Sequence, residues 1–536
     1  MDFDDMLIEL GELGKFQVIT YLLVCLPVLF AAANSLSYVF TAGIPKYRCY
    51  IPECEDAFYS KYEQPWLQHA IPGRTLGVIL SDTYEPSLCE RYMPVNTSTH
   101  YLNHICTPDM FTTDVIKCNQ WIFDDDRTIV TDWNITCLEN QWMLSFIGTM
   151  HFAGIIVGSA LFGILADRFG RKLMFIISIV IMAISGVAQV VSPEYITFAV
   201  LVFVNSVGTA GVYPLAFIIG VELVGRKKRE TTGIVLNYFY AIGEALVALF
   251  AWLTKDWVQL QLLVAAPSIV FVAYYWLIPE SVRWLLAKQK GNRAKEIVCR
   301  AAKMNGVTLS ESLLSSFESG QDKITKEETQ PSASDMLPIV KTMLKSRKIL
   351  LRFMIVLFIW ATNAFVYYGL SLNSTSMIGN KYLNFALVCL IEIPGYSLAW
   401  VCIQYFGRRL SLVGSLFLCG CTCIGSVLVP QGLSWAVIIL FLIGKLGITS
   451  SFGVVFVYTA ELLPTAIRSG GVGTASTTAR FGALVAPFVP LLGVYVQPLP
   501  MILFGVVSVI AGLLALKLPE TLGIKLPDTV QDAIRL

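Results

Sequence analysis

The segment Gly470–Gly493, GGVGTASTTARFGALVAPFVPLLG, is an apolar run of small residues that is long enough to cross a bilayer as a helix. It carries one full charge, Arg480, which follows Arg468 by twelve residues. At ~1.5 Å per helical residue this separation is roughly 18 Å, which puts the guanidinium near mid-membrane. A charge there costs from ~3 to more than 10 kcal/mol. We therefore predict that Arg480 faces protein or a water-filled cavity and binds either a structural partner or an anionic ligand.

The composition of the whole chain is that of a polytopic membrane protein. Of 536 residues, 55% are hydrophobic and only 14% are charged, which is too apolar for a soluble globular protein of this length. The net charge of +1 provides no field that would attract nucleic acid, and the sequence contains no nucleic-acid-binding motif. We expect the chain to interact with the lipid bilayer and not with nucleic acid.

Twelve segments are apolar and long enough to span a bilayer. They cover residues 16–42, 140–166, 173–192, 196–220, 231–252, 259–278, 349–370, 382–404, 410–430, 433–459, 470–493 and 499–518. The short connections 167–172 and 222–230 are rich in lysine and arginine, so these loops and both termini are predicted to be cytoplasmic. The chain then divides into the N-terminus with span 1 (1–42), an external loop (43–139), spans 2–6 (140–278), a cytoplasmic helical loop and linker (279–348), spans 7–12 (349–518) and a cytoplasmic C-terminus (519–536).

The long loop 43–139 has the features of an extracellular domain. Six of the thirteen cysteines lie in it, namely Cys49, Cys54, Cys89, Cys106, Cys118 and Cys137. An even number of cysteines in an oxidising compartment predicts three disulfides, although six cysteines allow fifteen pairings. Asn96 and Asn134 each begin an acceptor sequence for N-glycosylation. We predict that this loop is extracellular, disulfide-bonded and glycosylated.

An internal repeat relates the two halves of the chain, with an offset of about 240 residues. The sequence FGRK at 169–172 recurs as FGRR at 406–409, Glu222-Leu223 recurs as Glu461-Leu462, and PES at 279–281 recurs as PET at 519–521. Each motif follows the corresponding span of its half. The repeat predicts two parallel six-span halves, an arrangement in which transporters hold the substrate near the midplane between the halves.

Several of these motifs resemble those of a known transporter family. GILADRFGRK at 163–172 resembles the loop signature of the major facilitator superfamily. The cysteine-rich loop, PESVRWL at 279–285, AELLPTAIR at 460–468 and LPETLG at 518–523 together resemble solute carrier family 22, the organic cation, anion and zwitterion transporters. The resemblance covers essentially the whole chain. It implies an all-α major facilitator fold of 12 transmembrane helices, residence in the plasma membrane, alternating access and small charged organic substrates.

The resemblance also implies roles for charges in the loops. In this family the loop motifs hold the outward-facing state through charge contacts at the cytoplasmic ends of the halves, which implies gating and not substrate binding. The residues concerned are Asp167, Arg168, Arg171, Glu222, Arg226, Arg408 and Glu461. We expect the monomer to be the functional unit.

Features of different family branches occur together in this chain. Cation carriers of the family have an aspartate in span 11 where this sequence has Arg480, whereas the anion and carnitine-type branches have an arginine. YYG at 367–369 and NSL at 34–36 are similar to the anion branch. EIPGY at 392–396, GKLG at 444–447 and VYTAE at 457–461 are more similar to the carnitine-type branch. The resemblance therefore leaves the charge preference of the substrate open.

Four charges are predicted at similar depth inside the spans: Arg480, Glu244, Glu392 and Lys445. A buried salt bridge between Glu392 and Lys445 is one interpretation of these two residues. The repeat aligns Glu244 in span 5 with a position one helical turn from Arg480 in span 11, so these charges lie on pseudo-symmetric helices. We predict a two-ended site in which the Glu244 carboxylate binds an amine and the Arg480 guanidinium binds a carboxylate.

Polar and aromatic residues at similar depth are candidates for the walls of that site, through apolar and cation–π contacts. Most aromatic residues in a span belong to the core or face lipid, which is the alternative for each of them. Besides the four charges, the candidate substrate-binding residues are Asn34, Tyr213, Tyr238, Tyr240, Trp360, Tyr367 and Tyr368.

Together these features predict a plasma-membrane secondary transporter of small zwitterionic or cationic amines, of the carnitine, amino-acid or amine-conjugate kind. An organic-anion exchanger is the nearest alternative, and a non-transporting receptor is a further one. The sequence contains no phosphate-loop motif for a primary pump, and His100, His104 and His151 lack the companions of a metal or catalytic site. We expect no enzymatic activity, cofactor or metal, and we leave open coupling to an ion gradient or to a counter-substrate.

Overall fold

The computed structural model describes residues 3–11, 13–55, 61–78, 81–95, 106–124, 126–225, 228–310, 346–430, 432–464, 467–524 and 527. Asn96, Arg226, His100, His104 and residues 311–345 of the predicted linker lie outside these ranges. Within them the chain is mainly helical, and all of the strands lie in the cysteine-rich loop.

Among the described residues, eleven helices are long and apolar enough to cross a membrane, and a twelfth apolar helix is shorter. We number them in chain order as spans 1 to 12: Lys15–Thr41, Cys137–Phe169, Arg171–Val190, Tyr195–Leu223, Arg229–Thr254, Trp257–Leu277, Arg347–Ser376, Lys381–Phe406, Arg408–Val427, Ser434–Leu462, Gly470–Tyr495 and Leu499–Ala515. The predicted fold class and the order of twelve helices are confirmed, with boundaries that differ by a few residues.

Spans 6, 8 and 11 are interrupted within one helical turn of a proline, which cannot donate the helical hydrogen bond. Span 6 consists of Trp257–Ala265, the 3-10 segment Ala266–Ala273 and Tyr274–Leu277. Span 11 consists of Arg468–Val485, the 3-10 turn Ala486–Phe488 and Val489–Tyr495. Span 8 consists of Lys381–Leu390 and Glu392–Phe406. The break in span 8 therefore lies directly before Glu392.

The repeated FGR motif forms the same joint in both halves. Gly170, between spans 2 and 3, has φ 115°, and Gly407, between spans 8 and 9, has φ 82°, a backbone region that favours glycine. The carboxylates of Glu280 and Glu520 accept hydrogen bonds of 2.9 to 3.0 Å from the first backbone N–H groups of spans 3 and 9. Burial alone would raise the pKa of Glu520, but these and neighbouring backbone N–H donors outweigh it and lower the pKa. The repeated Pro-Glu motif is therefore a helix cap.

The cysteine-rich loop contains three antiparallel strand pairs. They are β1 (Tyr47–Cys49) with β6 (Trp121–Phe123), β2 (Gly73–Val78) with β3 (Ser81–Pro86), and β4 (Glu90–Pro94) with β5 (Phe111–Lys117). Short helices occupy Leu67–Ala70, Pro108–Met110, Ile129–Asp132 and Cys137–Asn140. Disulfides join Cys49 to Cys118, Cys54 to Cys106 and Cys89 to Cys137. The six cysteines thus form three disulfides, as predicted.

Three short helices pack together at the opposite end of the bundle: Phe3–Glu9, Val282–Ala287 and Gly291–Asn305. Met6 and Leu7 bury their side chains against Trp284 and Leu285. The amide of Asn305 donates to Leu10 O at 2.9 Å and accepts from Phe16 N at 2.9 Å. These contacts fasten the start of span 1 to the loop that follows span 6.

The two six-span halves meet along two helix pairs, span 5 with span 8 and span 2 with span 11. We call the end of the bundle that carries the cysteine-rich loop the loop end, and the other the basic end. At the loop end the Phe40 ring lies 5.4 Å from the Tyr382 ring and 5.0 Å from the Phe385 ring. Ser145 Oγ also donates to Pro487 O at 2.8 Å. These contacts join opposite halves, so the structure is closed at the loop end.

Candidate functional site

Three charged side chains from three spans are buried together between the halves. Glu244 comes from span 5, Glu392 from span 8 and Lys445 from span 10, and each is 0% exposed. Glu244 belongs to the first half and the other two to the second, so the group crosses the interface. We call these three residues the buried charge cluster.

The ammonium group of Lys445 is fully enclosed within this cluster. Its Nζ lies 2.8 Å from Glu392 Oε1, an ion pair. It donates to Ser371 Oγ at 2.8 Å and to Tyr367 O at 3.2 Å. It also lies 3.4 Å from the centroid of the Tyr367 ring, a cation–π contact. The Glu392–Lys445 salt bridge, one of the two interpretations of the sequence, is thus present in the structure.

Tyr367 completes the environment of Glu392. Its hydroxyl donates to Glu392 Oε2 at 2.7 Å, while Oε1 faces Lys445. Oε2 therefore accepts a hydrogen bond, whereas Oε1 is in the ion pair with Lys445 and accepts no hydrogen bond from the described residues. Such pairing is what a buried carboxylate requires if it is not to destabilise the fold.

Glu244 differs from Glu392 because its carboxylate has no such partners. Its side chain interacts with Glu392 and Lys445. Neither of its carboxyl oxygens, however, has a hydrogen-bond donor in the described part of the chain. The formal charge of the three residues is −1, so the cluster lacks one positive charge.

Arg480 lies at the second contact between the halves. From span 11 its Nη1 donates to Ser159 Oγ of span 2, and the side chain is partly buried. None of the ion pairs in the described ranges includes Arg480. The guanidinium thus has a neutral partner and no counter-charge among the described residues.

Two equivalent glycines set the positions of these charges. Gly243 precedes Glu244, and a Cβ on it would lie 2.2 Å from Leu29 O in span 1. Gly482 follows Arg480 by two residues, and a Cβ on it would lie 2.2 Å from Ala361 O in span 7. Both helix pairs therefore pack backbone against backbone. The repeat offset of 239 between these glycines supports the predicted pseudo-symmetry of spans 5 and 11.

Tyr368 in span 7 connects the two charged regions. Its side chain lies near both Glu244 and Arg480. Its ring makes edge-to-face contacts with Tyr367, at 5.0 Å between centroids, and with Phe152 of span 2, at 4.7 Å. The structure thus arranges Glu244, Tyr368 and Arg480 around span 7, without an ion pair between the two charges.

Three of the other predicted residues lie on the same side of the interface as Glu244. The rings of Tyr213 and Tyr240 are 5.4 Å apart, and the Tyr213 hydroxyl donates to Asn237 Oδ1 at 2.7 Å. The hydroxyls of Tyr238 and Ser397 lie 2.6 Å apart and join span 5 to span 8. These side chains form polar and aromatic surfaces around the meeting point of the halves.

Asn34 and Trp360 lie apart from this group, inside single halves. Asn34 is buried, and its amide donates to Phe30 O at 3.1 Å within span 1. Trp360 is 0% exposed, and its indole donates to Thr459 Oγ1 at 2.9 Å. Packing within one half accounts for both residues in this conformation.

The sequence did not point to Ser159 or Ser371, because isolated serines in apolar spans have no distinguishing pattern. Tyr396 could have been found, since it lies one helical turn after Glu392 and so shares its face. Its side chain interacts with Glu392 and Tyr368. His151 is satisfied structurally, with its two ring nitrogens 3.2 Å from Ser35 Oγ and 2.6 Å from Ser206 Oγ.

The charges predicted to control gating pair within their own halves in this structure. Arg171 Nη1 lies 2.9 Å from Asp167 Oδ1, and Arg171 Nε lies 3.8 Å from Glu222 Oε2. In the second half Arg408 Nη2 lies 2.8 Å from Glu461 Oε1, and Arg168 in the first half is exposed. The sequence led us to expect contacts across the halves at the basic end. Among the described residues these three loop ion pairs each lie within one half, in a structure whose halves are joined at the loop end.

Comparison with known proteins decides the family. Residues 90–531 match the family described as "Sugar (and other) transporter". The chain is 33% identical to the organic cation transporter protein of Drosophila melanogaster, over 99% of this chain and 94% of that protein. It is 33% identical to organic cation/carnitine transporter 2 of Homo sapiens, over 100% and 94%, and 32% identical to solute carrier family 22 member 4 of Mus musculus, over 99% and 94%. The chain belongs to solute carrier family 22 of the major facilitator superfamily.

Solved structures agree with this assignment at the level of the fold. The inward-open xylose transporter XylE from E. coli matches with a TM-score of 0.56, covering 73% of this chain and 88% of that one at 18% identity. Its partially occluded inward-open form matches with a TM-score of 0.55 at 20% identity. This solute carrier family 22 member is therefore a multi-pass membrane transporter with the major facilitator fold.

Proposed function

We propose that this solute carrier family 22 member is a plasma-membrane secondary transporter of small organic amines, zwitterionic or cationic, that works by alternating access. The observation that carries the proposal is the pair of charges without a counter-charge of their own, Glu244 and Arg480. Both lie near Tyr368 at the interface between the halves. The names of the relatives, which include an organic cation/carnitine transporter, support the same class of solute.

The two charges provide complementary chemistry for the two ends of a zwitterion. A guanidinium binds a carboxylate through two parallel hydrogen bonds, and a solute carboxylate would replace Ser159 as the partner of Arg480. The Glu244 carboxylate would bind the ammonium end, with Tyr240 and Tyr368 supplying cation–π faces. Binding thus compensates both charges, which otherwise bear a desolvation cost.

The position of these charges at the interface between the halves suits alternating access. When the basic end closes, the contacts of Phe40 and Ser145 at the loop end must separate. We assign control of that step to the loop charges Asp167, Arg168, Arg171, Glu222, Arg226, Arg408 and Glu461. The pairs Arg171–Glu222 and Arg408–Glu461 are equivalent in the repeat, so each half has the same arginine–glutamate ion pair at the basic end.

We further propose that the loop end is extracellular, that both termini are cytoplasmic and that the monomer is the transporting unit. The three disulfides support this orientation, because such bonds persist in oxidising compartments. Asn134 is exposed, which a glycosylation site requires.

An organic-anion exchanger is the second candidate, and one observation favours it. Arg480 is partly exposed in this conformation, whereas Glu244 is 0% exposed. A solute that has a carboxylate and no amine could reach Arg480 without engaging Glu244.

Uptake of three labelled solutes tests the proposal. Carnitine has both charges, tetraethylammonium has only the positive one and hippurate has only the negative one. We expect cells that express the chain to accumulate carnitine and tetraethylammonium above control cells. Uptake of hippurate alone would support the anion exchanger, and uptake of none of the three would contradict transport of these solute classes.

A further inference from the structure

The buried charge cluster has an unbalanced charge that the fold itself does not neutralise. All three groups are 0% exposed, and the two carboxylates and one ammonium have a formal sum of −1. A net charge in a low-dielectric interior is costly, and it is relieved when a proton or another cation binds. The contacts of each group show where that cation would bind.

Lys445 cannot neutralise both carboxylates. Lys445 carries a single positive charge, which is paired with Glu392 Oε1 at 2.8 Å. Its ammonium group donates hydrogen bonds to Ser371 Oγ and Tyr367 O. Glu392 is likewise engaged, through Lys445 and the Tyr367 hydroxyl. The missing positive charge therefore belongs at Glu244.

Both oxygens of Glu244 are buried, and no donor among the described residues hydrogen-bonds to either of them. Its carboxyl group lies close to the carboxyl group of Glu392, where span 5 packs against span 8. Two carboxylates cannot both be ionised so close together, and one shared proton converts their repulsion into a hydrogen bond. Glu244 then becomes the donor that this arrangement otherwise lacks.

We infer that Glu244 and Glu392 together bind one proton in the solute-free transporter, and that the positive end of the solute displaces this proton. The inference rests on the proposed function and adds its coupling: one proton leaves for each organic cation that binds. The proton departs from the Glu244 carboxyl group to water on the open side, and the ammonium takes its place. The cluster is neutral before and after the exchange.

Among the neighbours of Glu244 named below, only Lys445 is positively charged, and it is already paired with Glu392. A bound proton is therefore the remaining source of positive charge. The titratable and charged neighbours of Glu244 are Tyr240 on the same span, Tyr367 and Tyr368 on span 7, Cys389, Glu392 and Tyr396 on span 8, and Lys445 on span 10. Span 1, which touches Gly243, has no charged residue after Lys15, and the helix Trp257–Ala265 of span 6 has none. The titratable residues of span 4 are Tyr195, Tyr213 and Glu222, of which Tyr213 contacts the Tyr240 ring.

Infrared spectroscopy tests proton occupancy without any solute. Purified protein at neutral pH should show a carboxylic-acid C=O band that Glu244→Gln removes. The exposed Glu194 is the matched control, and Glu194→Gln should leave the band unchanged. Glu244→Asp retains a titratable group and should shift the band without removing it. A spectrum of the wild-type protein with no such band would overturn the inference, whatever the variants do.

Proton release tests the exchange. In weakly buffered detergent solution, saturating tetraethylammonium should release one proton per bound molecule from the wild-type protein and none from Glu244→Gln. In proteoliposomes, a lumen two pH units more acidic should drive tetraethylammonium accumulation towards roughly 100-fold, since each unit corresponds to a factor of ten. Accumulation that follows a sodium gradient, with no proton release, would overturn the inference in favour of a metal cation. If solute is taken up but no proton is released, only this inference fails. If no solute is taken up, the proposed function fails, and the infrared band still shows whether the carboxyl group is protonated.

Discussion

Replacing Arg480 by alanine separates a role in solute binding from a role in folding. The guanidinium has the neutral partner Ser159 and no ion pair in the described ranges, so its removal takes an uncompensated charge out of the membrane interior. We therefore expect Arg480→Ala to unfold at a temperature no lower than that of the wild-type protein. A charge-assisted contact contributes about 1.5 to 3 kcal/mol, so the apparent affinity for a carboxylate-bearing solute should fall roughly 10- to 150-fold.

The assay compares carnitine with tetraethylammonium in the same proteoliposomes, with protein amount matched. Arg480→Ala should weaken carnitine uptake by that factor and change tetraethylammonium uptake little, because the latter has no carboxylate. Ser159→Ala is the matched control: it removes the neutral partner and keeps the charge, so both solutes should be transported nearly normally. Arg480→Lys keeps a point charge without the bidentate geometry and should lie between wild type and alanine. Equal loss of both solutes, or a lower unfolding temperature, would refute the reasoning.

Four other outcomes are expected. Lys445→Met leaves Glu392 buried without its counter-ion and should lower the free energy of unfolding by about 3–5 kcal/mol. Thermal unfolding in detergent should show this loss, and the double variant Lys445→Met/Glu392→Gln should recover stability. A double variant that recovers none would contradict the buried pair. Glycosidase should increase the gel mobility of surface protein, and Asn134→Gln should reduce that shift; a variant that shifts as much as wild type would exclude glycosylation there. Asp167→Asn should change maximal transport rate more than the apparent substrate constant, and a severalfold higher constant at unchanged rate would count against gating. Gly407→Ala should lower stability by about 1 kcal/mol because φ is positive, whereas Gly414→Ala, in a helix with open space beside it, should not.

The spans and their duplication were predictable because each rests on local pattern. A run of about twenty apolar residues has no other stable arrangement in lipid than a helix. The repeated motifs correspond to repeated contacts, as the caps formed by Glu280 and Glu520 show. The depth of a charge along its helix also follows from residue counting, which is why Glu392 and Lys445 could be paired from sequence.

The direction in which each charge faces was not predictable, because residue counting gives depth and not rotation about the helix axis. The repeat aligns Glu244 to within one helical turn of Arg480 on equivalent helices, yet Glu244 lies next to span 8 and Arg480 contacts span 2. In an apolar helix both faces are hydrophobic, so no polar stripe indicates which side meets the protein. The rotation depends on close packing at Gly243 and Gly482, which only the assembled bundle reveals.

Two further features could not be predicted from the sequence: which cysteines form each disulfide, and whether the loop charges pair within a half or across the halves. Fifteen pairings satisfy the same six cysteines, and spacing does not choose among them. A loop charge such as Arg171 can pair within its half or across the halves at different points of a transport cycle. A sequence describes all of these states at once, whereas a structure describes one.

The cysteine-rich loop grows from the first half, yet it touches the second. Asp126 binds Lys381 at 2.5 Å and accepts from the Tyr382 hydroxyl at 3.2 Å, both at the start of span 8. These groups are partly exposed, so each contact contributes about 1 kcal/mol or less. The contact of Asp126 with Lys381 and Tyr382 is weak enough to open in every transport cycle. The disulfides, however, make the cysteine-rich loop that carries Asp126 rigid. A macromolecule that binds both sides of this contact at the loop end would stop the transport cycle without entering the path of the solute.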